Sequence, residues 1–161
     1  MSLEKVKEYF APLGRAEDIM EFPVSSATVE LAAKALNVAP ARIAKTLSFK
    51  VNDGCVLVVT AGDAKIDNAK YKAFFGAKAK MLTPEEALAF TGHAVGGICP
   101  FGIENEKVIC YTDKSLQRFA TVFPAAGSNN SAIELTCEEL FAYANSKAWV
   151  DICKGWKTEE D

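Results

Sequence analysis

The sequence predicts a mixed α/β fold in which a twisted, barrel-like sheet is surrounded by helices. Two observations carry this prediction. Helix-capping patterns and short apolar, strand-like runs alternate along the chain. The Asn52-Asp53-Gly54 turn joins two of these runs directly, which is typical of a hairpin and therefore of antiparallel pairing. A mixed sheet that curls on itself agrees with this pattern better than a doubly wound parallel sheet does.

Each predicted helix is bounded by residues that favour helix ends. Ser2 is expected to cap the first helix, and Ser25 and Ser26 are expected to cap the second. Thr136 and Glu139 form the pattern of a capping box ahead of the last helix. In chain order, the predicted helical segments are residues 3–13, 29–36, 39–43, 67–75 and 83–91, and a final helix that begins at 137.

The predicted strands are short and rich in apolar side chains. Residues 45–51 alternate in polarity, and residues 55–59 form the continuous apolar run expected of a buried strand that returns from the hairpin. Further extended segments are predicted at residues 19–22, 108–111, 121–124, 132–135 and 149–152.

The composition is that of an ordinary globular protein. Of 161 residues, 50% are hydrophobic and 24% are charged. One domain over residues 1–161 is predicted, because domains usually hold roughly 100–200 residues. The N-terminus lacks the apolar run of a signal peptide, and no apolar run approaches the roughly 20 residues that cross a bilayer. We therefore expect a cytoplasmic protein without a membrane partner.

The net charge of −3 argues against DNA and against general nucleic-acid binding, which requires a strongly basic face. The charge is unevenly distributed, however, because residues 65–80 hold five lysines and one acidic residue. Such a local basic patch suits an oriented contact with phosphates. A solvated helix face is the alternative interpretation. The five lysines are Lys65, Lys70, Lys72, Lys78 and Lys80.

The inventory of reactive side chains excludes most hydrolase mechanisms. His93 is the only histidine, so a metal site with several histidine ligands is excluded, and a Ser–His–Asp or Cys–His site would have to use it. The sequence has neither a Walker pattern nor a dinucleotide-binding fingerprint, and we expect no cofactor. An enzyme with this sequence would work by positioning and by main-chain or lysine electrostatics.

Three features could build a site of that kind. Residues 92–102 contain four glycines and one proline, which let main-chain N–H groups approach a ligand. Residues 125–131 form a second loop of small, hydrogen-bonding side chains. Lys45 begins a strand with apolar neighbours. The alternatives are a tight structural loop, a plain polar turn and a surface lysine with a buried stem.

Three motifs in this order resemble the YbaK/EbsC family. They are I-A-K-T-L at residues 43–47, the G-x-x-x-P pattern at residues 96–100, and Ala126-Gly127 followed by I-E-L at residues 133–135. The resemblance covers nearly the whole chain. The same domain is inserted in many bacterial prolyl-tRNA synthetases.

The resemblance implies a barrel-like mixed α/β fold and hydrolysis of the ester between an amino acid and the terminal adenosine of tRNA. Neither a metal nor a cofactor takes part in this family's reaction, and a ribose hydroxyl assists it. The predicted activity is trans-editing: removal of a small mischarged amino acid, Cys, Ala or Ser, from tRNA for proline. The implied partners are mischarged tRNA and prolyl-tRNA synthetase.

The resemblance also assigns roles to individual residues. Lys45 would anchor the terminal nucleotide's phosphate or hold the substrate near the ester, and Thr46 would support the pocket. Main-chain groups of the Gly-rich loop would hold the aminoacyl moiety, and the second loop would border the pocket. The implicated residues are Gly96, Gly97 and Pro100 in the first loop, and Gly127 and Ser128, with Asn129 as a further candidate, in the second.

The sequence departs from the family at Ala132, where some members carry an acidic residue, so the identity of the amino acid stays open. His93 lies just outside the Gly-rich loop and is a candidate for catalysis. Cys99 lies inside the loop and is interpreted as a packing residue. Two alternatives remain at this point: a non-catalytic module that binds an aminoacyl group or nucleotide, and a thiol-dependent hydrolase or redox sensor that uses Cys99 with His93.

Overall fold

The computed structural model describes residues 2–156; the outer ends of the predicted domain, residue 1 and residues 157–161, lie outside the described range. Its α-helices are α1 (Ser2–Phe10), α2 (Val29–Leu36), α3 (Asn68–Phe75), α4 (Pro84–Thr91) and α5 (Cys137–Tyr143). Short 3-10 helices span Ala11–Leu13, Ala16–Asp18, Pro40–Arg42 and Lys114–Arg118.

The strands of the described residues form one large sheet and two small ones. They are β1 (Met20–Glu21), β2 (Ile43–Val51), β3 (Gly54–Ala61), β4 (Lys65–Ile66), β5 (Val108–Asp113), β6 (Thr121–Pro124), β7 (Ser131–Ala132), β8 (Leu135–Thr136), β9 (Trp149–Val150) and β10 (Cys153–Lys154). The large sheet has the order β8-β6-β2-β3-β5-β9 and is curled into a half-barrel. β1 pairs with β7, and β4 pairs with β10.

The predicted hairpin and the mixed sheet are both confirmed. β2 and β3 pair antiparallel from Ala44–Ala61 to Val51–Gly54. The turn between them places Asn52 in the left-handed region, with φ of 52°, which asparagine tolerates better than most residues. The β2–β6, β3–β5 and β5–β9 pairs are parallel, whereas β6–β8 is antiparallel.

Several element boundaries differ from the sequence prediction. Thr28, rather than Ser25 or Ser26, caps α2, because its hydroxyl accepts a hydrogen bond from the Leu31 amide. Ser2 is the first residue of α1 instead of its cap. The predicted strand at residues 132–135 is divided between β7 and β8, which pair with different strands. The segment at residues 149–152 is likewise cut short, since β9 ends at Val150.

The main core cluster lies between the half-barrel and the helices that cover it. Phe10 of α1 and Phe101 meet edge to face at 4.9 Å between ring centroids, and both are fully buried with Leu57 of β3 and Leu140 of α5. Burial of these large apolar side chains is the main force that holds α1 and the 99–103 segment against the sheet. Among residues 2–156, no helix is both long and apolar enough to cross a membrane.

Candidate active site

The candidate site lies where strand β2 has an open edge. β6 pairs only with Ile43 and Ala44 at the start of β2. Farther along, the amide of Leu82 donates to the carbonyl oxygen of Ser48 at 3.1 Å, and the amide of Lys50 donates to that of Lys80 at 2.8 Å. Between the β6 pairing at its start and the contact at Ser48, β2 has no strand beside it on this edge.

The open edge exposes main-chain groups of Thr46. Alternate residues of an antiparallel strand direct their N–H and C=O groups to opposite edges. Ser48 and Lys50 use theirs on the open side, toward the segment at residues 80–82. Thr46 lies two residues before Ser48 on the same strand, so its main-chain N–H and C=O also face this side, where a ligand can reach them.

A cavity with a volume of about 380 Å³ occupies this edge. Residues from β2, the start of α2, the Gly-rich loop and the end of β6 line it. Its wall is mostly aliphatic, and of its lining residues only Lys45 is ionisable. The lining residues include Ser26, Lys45, Thr46, Met81, Val95 and Ala132.

Lys45 is half-buried at this cavity. Its ammonium donates to the carbonyl oxygen of Ala64 at 2.5 Å and to that of Gly62 at 3.5 Å. In the described part of the chain, no carboxylate lies within ion-pair distance of it. Desolvation lowers the pKa of Lys45 below its ordinary value, and the negative charges of Asp63 and Glu30 act in the opposite direction. A lysine held by neutral carbonyls keeps its charge available to an incoming anion.

Two hydroxyl groups at the cavity have no hydrogen-bond partner. Within residues 2–156, Ser26 Oγ and Thr46 Oγ1 are the buried side-chain oxygen or nitrogen atoms left unpaired. Ser26 is only 8% exposed, and its amide donates to the carbonyl oxygen of Asn129 at 2.6 Å. A buried hydroxyl without a partner costs stability, so each of these groups is available to pair with a bound group. The prediction had placed Ser26 at a helix cap, where its polarity would have been explained locally.

The Gly-rich loop packs against the second loop. A Cβ on Gly97 would lie 2.8 Å from both Cα and N of Ser128, so only glycine fits there. The amide of Gly97 already donates to the carbonyl oxygen of Ala94 at 3.0 Å. Gly97 therefore brings the two loops together, and the role of its main chain in holding the aminoacyl group stays a prediction. Gly96, with φ of 94°, does line the cavity.

The other predicted loop residues lie around the cavity without lining it. Gly127 contacts the start of α1, where a Cβ would be 2.8 Å from the carbonyl oxygen of Ser2. The hydroxyl of Ser128 bonds to Ser131 and Asn130. Asn129 contributes its carbonyl to hold Ser26. Pro100 borders a different cavity, beside Tyr9 and α1. The structure thus brings Lys45, Thr46 and Gly96 together at the cavity and places the others behind it.

His93 and Cys99 are adjacent, as the thiol alternative requires, but both are fully buried in the core. The Nε2 atom of His93 lies 2.8 Å from the carbonyl oxygen of Phe101 and 3.6 Å from the sulfur of Cys99, and its Nδ1 contacts the hydroxyl of Ser2. Burial lowers the pKa of His93 and raises that of Cys99 to about 12. A thiol that is neutral and closed to solvent is a poor nucleophile, which favours a packing role for this pair.

Exposed side chains at the rim complete the site. Met81 and Val95 line the cavity and are 61% and 63% exposed, which is unusual for apolar side chains. The exposed lysines Lys65 and Lys80 are chain neighbours of Ala64 and Met81. Lys70, by contrast, is paired with Asp151 at 3.2 Å. No group of three or more His, Cys, Asp or Glu residues that could hold a metal ion occurs within residues 2–156.

Comparisons with known proteins identify relatives of this chain. The uncharacterized protein YwhH of Bacillus subtilis (strain 168) is 53% identical over 158 residues, which cover 98% of this chain and 100% of YwhH. The proline–tRNA ligase of Thermotoga sp. (strain RQ2) is 37% identical over 93 residues, which are 57% of this chain and 16% of the ligase.

The fold has a close counterpart among solved structures. The crystal structure of a candidate trans-editing enzyme for prolyl tRNA synthetase superposes with a TM-score of 0.85 and 28% identity, covering 96% of this chain and 98% of the other. Residues 24–143 match the family model of the aminoacyl-tRNA editing domain. These residues include every lining residue named above, from Ser26 to Ala132. The chain therefore belongs to the aminoacyl-tRNA editing domain family, the YbaK-like family that its three sequence motifs indicated.

Proposed function

We propose that this protein is an aminoacyl-tRNA deacylase. It hydrolyses the ester between a small mischarged amino acid, Cys, Ala or Ser, and the terminal adenosine of tRNA for proline, and it acts in trans. The observation that carries the proposal is the cavity at the open edge of β2, where Lys45 and the free main-chain groups of Thr46 meet an aliphatic chamber. Membership of the editing family and the similarity to proline–tRNA ligases support the choice of tRNA and make prolyl-tRNA synthetase the candidate partner.

The geometry suggests how the ester would be held. The acyl group enters the chamber, which has a volume of about 380 Å³ and a mostly aliphatic wall. The ester carbonyl then lies beside the Thr46 N–H and the Lys45 ammonium. Water adds to the carbonyl carbon, and these donors stabilise the negative charge that develops on the carbonyl oxygen. The bond from the carbonyl carbon to the ribose oxygen breaks, and the proton that the attacking water gives up is taken by that departing oxygen.

The rim provides contacts for the RNA end. Met81 and Val95 offer apolar surface to the terminal adenine, since bases removed from a stack are often held between apolar side chains. Lys65 and Lys80 lie on the exposed surface beside the cavity and are available to the last phosphates. These few contacts suit an acidic protein that binds one end of a tRNA and no duplex.

A panel of mischarged tRNAs tests the proposal. Purified protein is mixed with tRNA for proline that carries Ala, Ser, Cys or Pro, and loss of the ester is followed against an enzyme-free control. We expect hydrolysis of at least one small amino acid, with prolyl-tRNA spared. The same amino acids on an unrelated tRNA test the choice of tRNA. Tight binding without hydrolysis on every member of the panel would instead identify a non-catalytic binding module.

A further inference from the structure

The charge of the cavity carries an inference about the acyl group that it accepts. Aminoacyl esters have an α-amino group that is partly protonated near neutral pH, since α-amino groups titrate at about 7.7–8.0. A site that binds the protonated form would be expected to place a carboxylate beside it. Here the cavity-lining residues include no Asp or Glu, and the one charged lining residue is the cation Lys45.

The charged groups around the cavity do not reverse this balance. Glu30 and Asp63, the carboxylates that act on Lys45, lie beyond ion-pair distance of its ammonium and outside the cavity wall. Lys65 adds a further positive charge on the same side. The first turns of α2 and α4 reach the wall through Val29 and Pro84, and helix N-termini carry partial positive charge.

The polar groups that the wall does provide are neutral. The hydroxyls of Ser26 and Thr46 are unpaired, and the main-chain carbonyl of Thr46 faces the open edge. Hydroxyls and carbonyls can accept hydrogen bonds from an uncharged amine or from an alcohol. Ala132, with only 3% of its surface exposed, occupies the wall without adding any polar group.

We propose that this site binds the acyl group in an uncharged form, with Ser26 and Thr46 as its hydrogen-bond partners. Its substrate class therefore includes esters of small α-hydroxy acids as well as aminoacyl esters whose amine is neutral. The inference rests on the proposed deacylase function and specifies the chemistry of the group that the site selects.

The test compares alanyl and lactyl esters on the same tRNA, which differ only in an amino against a hydroxyl group. Single-turnover rates are divided by the enzyme-free rate in the same buffer, because the two esters differ in intrinsic reactivity. At about pH 6, where the amine is protonated, we expect an enhancement for the lactyl ester that equals or exceeds that for the alanyl ester. The ratio of enzymatic to enzyme-free rate should rise with pH for the alanyl ester and stay constant for the lactyl ester. An alanyl enhancement about tenfold above the lactyl one at the low pH overturns the inference.

Variants separate a binding role from a structural one. Ser26→Ala and Thr46→Val should each lower the enhancement for both esters by about tenfold, the effect of one lost hydrogen bond. Ala132→Asp should add the missing carboxylate and shift preference toward the protonated alanyl ester. Because Ala132 is buried and its variant could fail to fold, Ala125→Asp on the same wall, at a partly exposed position, provides a second test. A preference unchanged in a folded carboxylate variant contradicts the inference.

A binding measurement distinguishes failure of the inference from failure of the proposed function. Adenosine analogues with an amide-linked alanyl or lactyl group cannot be hydrolysed, and their affinities are measured by calorimetry with wild-type protein at low and high pH. If neither ester is hydrolysed, the deacylase proposal fails, while the relative affinities still decide the charge preference. Tighter binding of the protonated alanyl analogue overturns the inference, and tighter or equal binding of the lactyl analogue supports it.

Discussion

The ammonium of Lys45 lies 2.5 Å from the main-chain carbonyl oxygen of Ala64. This contact holds the lysine at the cavity wall without neutralising it, because a carbonyl carries no net charge. In the proposed reaction the ammonium turns toward the ester or the terminal phosphate. The contact therefore gives the position of the ammonium before substrate binds.

Lys45→Ala should lower kcat/KM for deacylation by about 100-fold, the usual loss when a preorganised charge is removed. Folding should persist, because a half-buried lysine contributes little to the core. Lys50→Ala is the matched control: it lies on the same strand, is exposed and pairs with Glu86, away from the cavity. Steady-state kinetics with both variants check this. A Lys45→Ala enzyme within a few-fold of the control would remove Lys45 from the mechanism.

The rim residues Met81 and Val95 are predicted to hold the terminal adenine. Met81→Ser and Val95→Ser should each raise KM by about 5- to 20-fold, because each would lose on the order of 1–2 kcal/mol of apolar contact with the base, and kcat should change little. Leu88→Ser is the control, because Leu88 is 51% exposed but lies outside the cavity. Equal effects of all three substitutions on KM would show that the rim has no specific role.

His93 should make the fold sensitive to acid. Its pKa is lowered in the folded protein by burial, so below about pH 6.5 the unfolded chain binds a proton that the folded chain does not. The contribution of neutral His93 to the free energy of unfolding is therefore constant above about pH 6.5. It is lost as the pH falls from there toward the lower pKa of the folded state. Urea unfolding should therefore give a smaller free energy of unfolding at about pH 5.5 than at about pH 7.5, in part because of this residue. His93→Gln should reduce the difference between the two pH values, whatever its effect at neutral pH.

Gly97→Ala should destabilise the protein and lower activity together. The new Cβ would meet the backbone of Ser128, which cannot move aside as a flexible side chain can. Gly76→Ala is the comparison, because that site is open space and carries only the cost of φ of 80°. We expect a melting temperature for Gly97→Ala that is lower than that of Gly76→Ala by several degrees. A Gly97→Ala protein that melts normally but fails to hydrolyse the ester would support a direct role for this glycine.

Cys99→Ala should retain deacylase activity within a few-fold of wild type. The thiol is fully buried and its pKa is raised to about 12, so it is not available as a nucleophile. Modest loss of stability is expected from the smaller side chain. Thiol alkylation of the native protein, followed by mass spectrometry, should leave Cys99 unmodified. Abolished hydrolysis in a folded Cys99→Ala protein would favour the thiol-dependent alternative.

The sequence by itself determined most of the helices, the central hairpin and the family. The Asn52-Asp53 turn, the capping box at Thr136 and the G-x-x-x-P loop are local signals, because each depends on residues that are close in the chain. Such local signals can be recognised from one sequence without a structure. The motif around Lys45 lies at the cavity, which both Lys45 and Thr46 line, and the roles of these two residues remain predictions.

Only the tertiary structure decided which residues face the cavity. Ser26 looked like a helix cap until the Asn129 carbonyl was seen to hold its amide beside the wall and leave its hydroxyl unpaired. The close packing of Gly97 against the backbone of Ser128 was likewise visible only in the structure. Both facts depend on contacts between segments about 30 to 100 residues apart. No local propensity encodes such contacts, because they arise when the sheet closes and the two loops pack together.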